Sequence, residues 1–131
     1  MILILSTNFD DDTNLVIEHL TNLGKKFIRL NDIDFFNGKT KLYFSLNNYR
    51  TNLFVENENI GKVNLDQVEV VWFRKFGFFE EYLKLLPDNL LNNFGLLNYL
   101  QSEHRATLST ILFFLKDKKW INHYSVLQNF N

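Results

Sequence analysis

Val68-Glu69-Val70-Val71-Trp72-Phe73-Arg74-Lys75-Phe76-Gly77 decides how this chain is read. A short run dense in β-branched and aromatic residues predicts a strand covered on both faces. The run then turns into two cations, so Trp72, Arg74 and Lys75 fall at the carboxyl end of that strand. In open α/β sheets, ligands and partner domains gather at that end.

The flanking sequence supplies the rest of such a sheet. Met1 to Ser6 is an apolar first strand, followed by a polar loop, Thr7 to Thr13. Leu15, Val16, His19, Leu20 and Leu23 recur at three- and four-residue spacing and predict one face of a helix. Gly24 ends it, and Lys25 and Lys26 lie near its negative end. Phe27 to Leu30 is the next strand, which makes a β-α-β unit with parallel strands. Asn31 to Lys39 reads as a loop. Thr40–Leu46 and Thr51–Val55 read as strands joined by a turn at Asn47-Asn48-Tyr49-Arg50, with Leu42, Phe44 and Leu46 on the dry face. Ile60 to Val63 extends this antiparallel insertion. Beyond the opening stretch, Pro87-Asp88 starts a new element. The stripe 90, 94, 97, 100, 104, 108, 111, 115 predicts one long helix, or two joined near Gly95. Lys119-Trp120-Ile121-Asn122 is the last strand. The fold class is therefore α/β: a three-layer, Rossmann-like domain with a mostly parallel sheet, an antiparallel hairpin insertion and a long C-terminal helix.

Bulk properties narrow the function. The chain has 131 residues and 46% hydrophobic residues, the size and composition of one folded domain. A formal charge of −1 leaves no basic excess for phosphate neutralisation, which argues against nucleic acid as a partner. With no cysteine, disulfides, thiolate catalysis and zinc–thiolate sites are excluded. The apolar start is too short for a signal peptide, and no run approaches the roughly 20 residues of a membrane span. A cytoplasmic protein is expected.

No glycine-rich phosphate loop, zinc-protease motif or nucleophile elbow occurs. Asp10-Asp11-Asp12 has two readings, a metal site and a helix N-terminal cap, and the cap has the simpler cause. His19, His104 and His123 are scattered, and no metal set is assigned. His104, on the long stripe, reads as a satisfied core histidine.

The order of pieces resembles a known family. Arg29-Leu30-Asn31 ends strand two, Val71-Trp72-Phe73-Arg74-Lys75 ends the third parallel strand, Glu103 lies midway along the long helix, and Trp120-Ile121-Asn122-His123 follows it. Over its whole length this is similar to the N-terminal, pre-ATP-grasp domain of the ATP-grasp peptide maturases, the microviridin-type and grasp-with-spasm ligases. Phe76 and Tyr124 stand where family members often carry proline. The resemblance implies the N-terminal domain of a ligase that activates a carboxylate of a ribosomally made (RiPP) precursor peptide as an acyl phosphate. A hydroxyl or amine then closes an ω-ester or ω-amide. ATP and magnesium belong to the ATP-grasp module of the parent enzyme, so residues 1–131 are expected to hold neither cofactor nor catalytic residue. The implied partners are that module, the precursor peptide and a second copy in a homodimer.

Six residues are candidates for a substrate or domain interface: Arg74, Trp72, Arg29, Glu103, Asn122 and His123. Arg74 can hold a carboxylate through two parallel bonds. That carboxylate belongs either to a partner or to this chain, with Glu103 as the internal choice. Trp72 reads as core, and Asn122 and His123 as a cap on the last strand. Beside the ligase domain stands a second class, a free-standing Rossmann-like binding or interaction module of unknown ligand.

Overall fold

The computed structural model describes residues 1–8, 10–77 and 82–122. The chain divides into two compact units, Met1–Phe76 with Asp117–Asn131, and Gly77–Lys116.

The first unit holds β1 (Ile2–Ser6), α1 (Asp11–Asn22), β2 (Phe27–Asn31), α2 (Asp32–Phe36), β3 (Lys41–Asn47), β4 (Arg50–Asn57), β5 (Gly61–Asn64), a 3-10 turn (Leu65–Gln67), β6 (Val70–Phe73) and β7 (Lys119–Ile121). Strands β2-β1-β6-β7 form one sheet, and β3-β4-β5 form a separate one. All pairings in the first sheet are parallel and all in the second antiparallel, as the alternation of patterns predicts.

The strand buried on both faces is β1. Leu3, Ile4, Leu5 and Ser6 are all inaccessible to solvent. β6 was expected to hold that place, but it buries only Val71 and Phe73, and Val70 and Trp72 stay half-exposed. Both strands are internal to the sheet, so position in the strand order does not separate them. Register matters more. Arg29, Ile4, Trp72 and Ile121 align across the sheet and point to one face, and Leu30, Leu5 and Phe73 to the other.

Three local expectations need correction. In α1 the inward face runs through buried Thr13 and half-buried Val16, Ile17 and Leu20, while Leu15, His19 and Leu23 are exposed. The hydrophobic stripe was drawn through Leu15 because Thr13 counts as polar. Its hydroxyl is satisfied by Asp10, so Thr13 can sit inside. The loop expected over Asn31–Lys39 contains α2, a helix of five residues, too short to show a period. The presumed dry face of β3 is largely wet: Phe44 is 61% and Leu46 75% exposed.

The second unit contains α3 (Asp88–Leu91) and α4 (Phe94–Leu115). The helix breaks at Asn92-Asn93, two residues before the expected Gly95. Asn93 caps α4 by accepting a bond from the Leu96 N–H, 3.1 Å. The stripe is buried only in its second half, at His104, Ile111 and Leu115, with Leu112 buried beside it. His104 is the satisfied core histidine expected. Its Nε2 lies 2.9 Å from the Gly77 carbonyl oxygen, which can only accept, so Nε2 carries the proton. Among the described residues no helix is long and apolar enough to cross a membrane.

Candidate functional site

Parallel strands end together, so their last residues meet at one edge. β1 ends at Ser6, β2 at Asn31, and Arg74 prolongs β6 by donating its N–H to the Leu5 carbonyl at 2.9 Å. Alternation puts Ser6, Asn31, Arg29, Trp72 and Arg74 on the same face. The chain leaves β1 through Thr7 and Asn8 and enters α1 at Asp10, so the N-terminus of α1 also faces this edge.

A Rossmann-type fold offers an anion site here, made by backbone N–H groups at the first turn of the helix. In this chain a side chain fills that role. Asp10 is 1% exposed. Its Oδ1 accepts from the Thr13 N–H at 3.4 Å and from Arg74 Nη2 at 3.1 Å. Its Oδ2 accepts from Ser6 Oγ at 3.0 Å, Thr13 Oγ1 at 2.5 Å and Arg74 Nε at 3.2 Å. The Arg74–Asp10 pair is the bidentate fork that guanidinium and carboxylate geometry favours. Arg74 reaches a second, exposed carboxylate at Asp12, 3.3 Å, and its guanidinium stacks 5.4 Å over the Trp72 ring.

The electrostatics follow from this wiring. Burial pushes the Asp10 carboxyl up, but the bonds from Arg74, Thr13 and Ser6 together outweigh it and hold the group well below the usual carboxylate range. The bond to Asp10 raises the Arg74 guanidinium further, against its own partial burial. Arg29, half-buried beside them, is lowered by burial, with Asp10 and Asp34 pulling the other way. Its donors go to Asn31 Oδ1 at 2.9 Å, Asn14 Oδ1 at 2.5 Å and the Thr7 carbonyl at 2.7 Å. Arg29 thus clamps the β1–α1 loop to β2.

Three of the six candidates, Arg74, Trp72 and Arg29, therefore meet at one edge. Asn122 follows β7 at the corresponding end. It is exposed and adopts a left-handed backbone, φ 54°, which asparagine tolerates well. Glu103 is exposed on α4 in the other unit. It was the expected internal partner of Arg74, and the structure gives that role to Asp10. His123 lies outside the described residues. Asp10, Ser6 and Thr13 were missed as members of this cluster. The N-terminal cap reading of Asp10 is correct, and the same carboxylate also serves a strand 64 residues away.

This edge does not fit ATP and magnesium. The first-turn N–H and the guanidinium already hold a carboxylate, and among the described residues no three His, Asp or Glu side chains converge as a metal ion requires. A triphosphate here would have to displace Asp10.

Solved structures share the fold. The chain matches macrocyclase MdnC from Microcystis aeruginosa MRC, bound with precursor peptide MdnA, at TM-score 0.71 and 20% identity, over 95% of this chain and 36% of that one. Macrocyclase MdnB from the same organism matches at 0.66 and 16%, over 98% and 44%. A Chryseobacterium gregarium RiPP-associated ATP-grasp ligase, in complex with ADP and a leader and core peptide, matches at 0.66 and 23%, over 98% and 36%. The chain thus spans less than half the length of these structures. No curated protein sequence matches it. The family profile described as "MvdD pre-ATP grasp domain" matches residues 1–128, nearly the entire sequence, and the chain belongs to that family of pre-ATP-grasp domains.

Proposed function

We infer that residues 1–131 form the N-terminal domain of a longer ATP-dependent ligase that installs ω-ester or ω-amide crosslinks in a ribosomally made precursor peptide. In this reading the domain packs against its own ATP-grasp module and shapes the substrate cleft, without holding nucleotide or performing chemistry. It works where that module works, in the cytoplasm. Family membership and the peptide-bound state of two matched structures support the ligase setting. The observation that carries the non-catalytic role is Asp10. The helix N-terminus and the arginine that this edge offers to phosphate are taken by the chain's own carboxylate.

Phosphoryl chemistry needs a phosphate cradle, a lysine and acidic magnesium ligands together. The proposed division of labour leaves those to the module. The test is to express the reading frame as it continues past Asn131, with a precursor peptide encoded beside it. The products are followed by mass spectrometry. The expected result is ATP-dependent loss of one water per crosslink when both parts are present, and none from residues 1–131 alone. Dehydration of the peptide by residues 1–131 alone would overturn the reading.

A further inference from the structure

We propose that Asn37 is a self-modification site: the Gly38 main-chain nitrogen attacks its side-chain amide, which leaves aspartate or isoaspartate in the turn between α2 and β3. Asn37 is the only asparagine in the sequence that a glycine follows. At the others, the side chain of the next residue crowds that residue's own nitrogen, and glycine has none. The fold keeps this advantage. Asn37, Gly38 and Lys39 are all exposed. A Cβ at Gly38 would meet nothing within 4 Å, and φ there is +78°. Space and backbone freedom are therefore present where a ring must close.

The hydrogen bonds of the turn point the same way. The Asn37 N–H donates to the Ile33 carbonyl at 3.1 Å, and the Thr40 N–H to the Asp34 carbonyl at 2.9 Å. Between these two anchors, nothing among the described residues accepts from the Gly38 N–H, so no bond has to break before its nitrogen attacks. Asn37 Oδ1 accepts from the Lys39 N–H at 3.0 Å. That bond folds the side chain forward over the Gly38 peptide. It also draws electrons away from Cγ, as a donor to a developing oxyanion does.

The chemistry balances with water and base alone. Base removes the proton from the Gly38 nitrogen, the N–Cγ bond forms, and the amide nitrogen leaves as ammonia with a proton from solvent. The product is a cyclic succinimide, which water opens. Breaking the N–Cγ bond gives aspartate. Breaking the bond from that nitrogen to the Asn37 main-chain carbonyl carbon gives isoaspartate, whose backbone runs through Cγ and is one methylene longer. Either product sets a new carboxylate in a cleft of about 640 Å³ lined by Asp34, Glu56 and Glu58 and by Lys39, Lys41 and Lys62. That lining then passes from balanced to acidic. Isoaspartate also shifts the main chain leading to Thr40, which is buried and accepts from Asn57 Nδ2 at 3.3 Å. The inference does not depend on the ligase reading.

Ageing the folded 131-residue chain at pH 8, followed by trypsin and mass spectrometry, tests this directly. Cleavage after Arg29 and Lys39 releases residues 30–39, and fragmentation separates conversion at Asn37 from conversion at Asn31. A synthetic peptide of residues 30–39, aged alongside, is the reference for an unconstrained chain. The expected result is amide-to-acid conversion at Asn37 before any other asparagine, with both aspartate and isoaspartate formed. Its rate should lie within about tenfold of the peptide's, because the turn leaves the attacking nitrogen free to align. Gly38→Ala should slow it at least about tenfold by crowding that nitrogen. Conversion slower than this range, or earlier at another asparagine, would overturn the proposal by showing that the turn protects the amide. Aspartate without isoaspartate, or a rate indifferent to Gly38→Ala, would overturn it by excluding attack from Gly38.

Discussion

Replacing Arg74 with methionine removes the fork from a carboxylate that is 1% exposed and the guanidinium from over Trp72, while keeping an unbranched side chain of similar bulk. Breaking one partner of a buried ion pair costs about 3–5 kcal/mol. Two features move this case to the low end: Arg74 is itself 22% exposed, and Asp10 keeps three other donors, Ser6 Oγ, Thr13 Oγ1 and the Thr13 N–H. The lost contact with exposed Asp12 adds under about 1 kcal/mol. The expected loss is about 3 kcal/mol at pH 7, read by urea denaturation with the fluorescence of Trp72 and Trp120. In an Asp10→Asn background, which keeps the cap but not the charge, the same substitution should cost about 1 kcal/mol, leaving a coupling of about 2 kcal/mol.

Acid supplies an independent check. The depressed Asp10 carboxyl contributes stability that is complete above its unfolded pKa of about 3.9 and lost as pH falls toward the folded value. At pH 3 the folded carboxyl is still charged, and the loss is about 1.2 kcal/mol. Without Arg74, burial is opposed less strongly and the folded pKa rises, so the variant loses less. The gap between the two proteins should therefore narrow by about 1 kcal/mol between pH 7 and pH 3. A gap below about 1 kcal/mol at pH 7, or one that stays constant with pH, would refute the reasoning.

Three further outcomes are expected. Gly77→Ala should destabilise by about 1–2 kcal/mol, because φ is +91° and the new Cβ would lie 2.8 Å from Leu108 Cδ2. Combining it with Leu108→Ala should not restore stability, since the backbone cost remains; chemical denaturation of both variants decides this. Tyr49→Gly should raise stability by about 0.5–1 kcal/mol, by placing glycine at a left-handed, fully exposed turn position, and thermal melting would show the rise. His104→Leu should cost about 1–2 kcal/mol by removing the bond from Nε2 to the Gly77 carbonyl, and His104→Gln should recover part of it, measured by the same denaturation.

The parallel sheet, the inserted hairpin and the long helix were legible because each rests on a period repeated over several residues. β2-β1-β6 follows from three apolar runs and one amphipathic crossover. What escaped was decided by polar groups that act as interior ones. Thr13 sits inside because Asp10 satisfies its hydroxyl, which rotates the buried face of α1 away from Leu15. Asp10 was readable as a cap, and its second role was within reach: β1 and β6 are neighbours, so an arginine one residue past β6 must approach the start of α1. Glu103 was preferred as partner because it sits midway on a long helix, although nothing in its spacing fixed its distance from Arg74. The wet face of β3 could not be read from alternation, because a strand whose apolar face stays exposed has the same pattern as one that is covered.

The central claim is that Asp10 closes the carboxyl edge of the parallel sheet, so that this domain holds no nucleotide of its own. Calorimetric titration of the 131-residue chain with magnesium–ATP tests it most directly. The account predicts no binding heat from the wild-type chain. Stoichiometric binding that disappears in Arg74→Met would contradict it, and would make this edge a nucleotide site from which Asp10 is displaced.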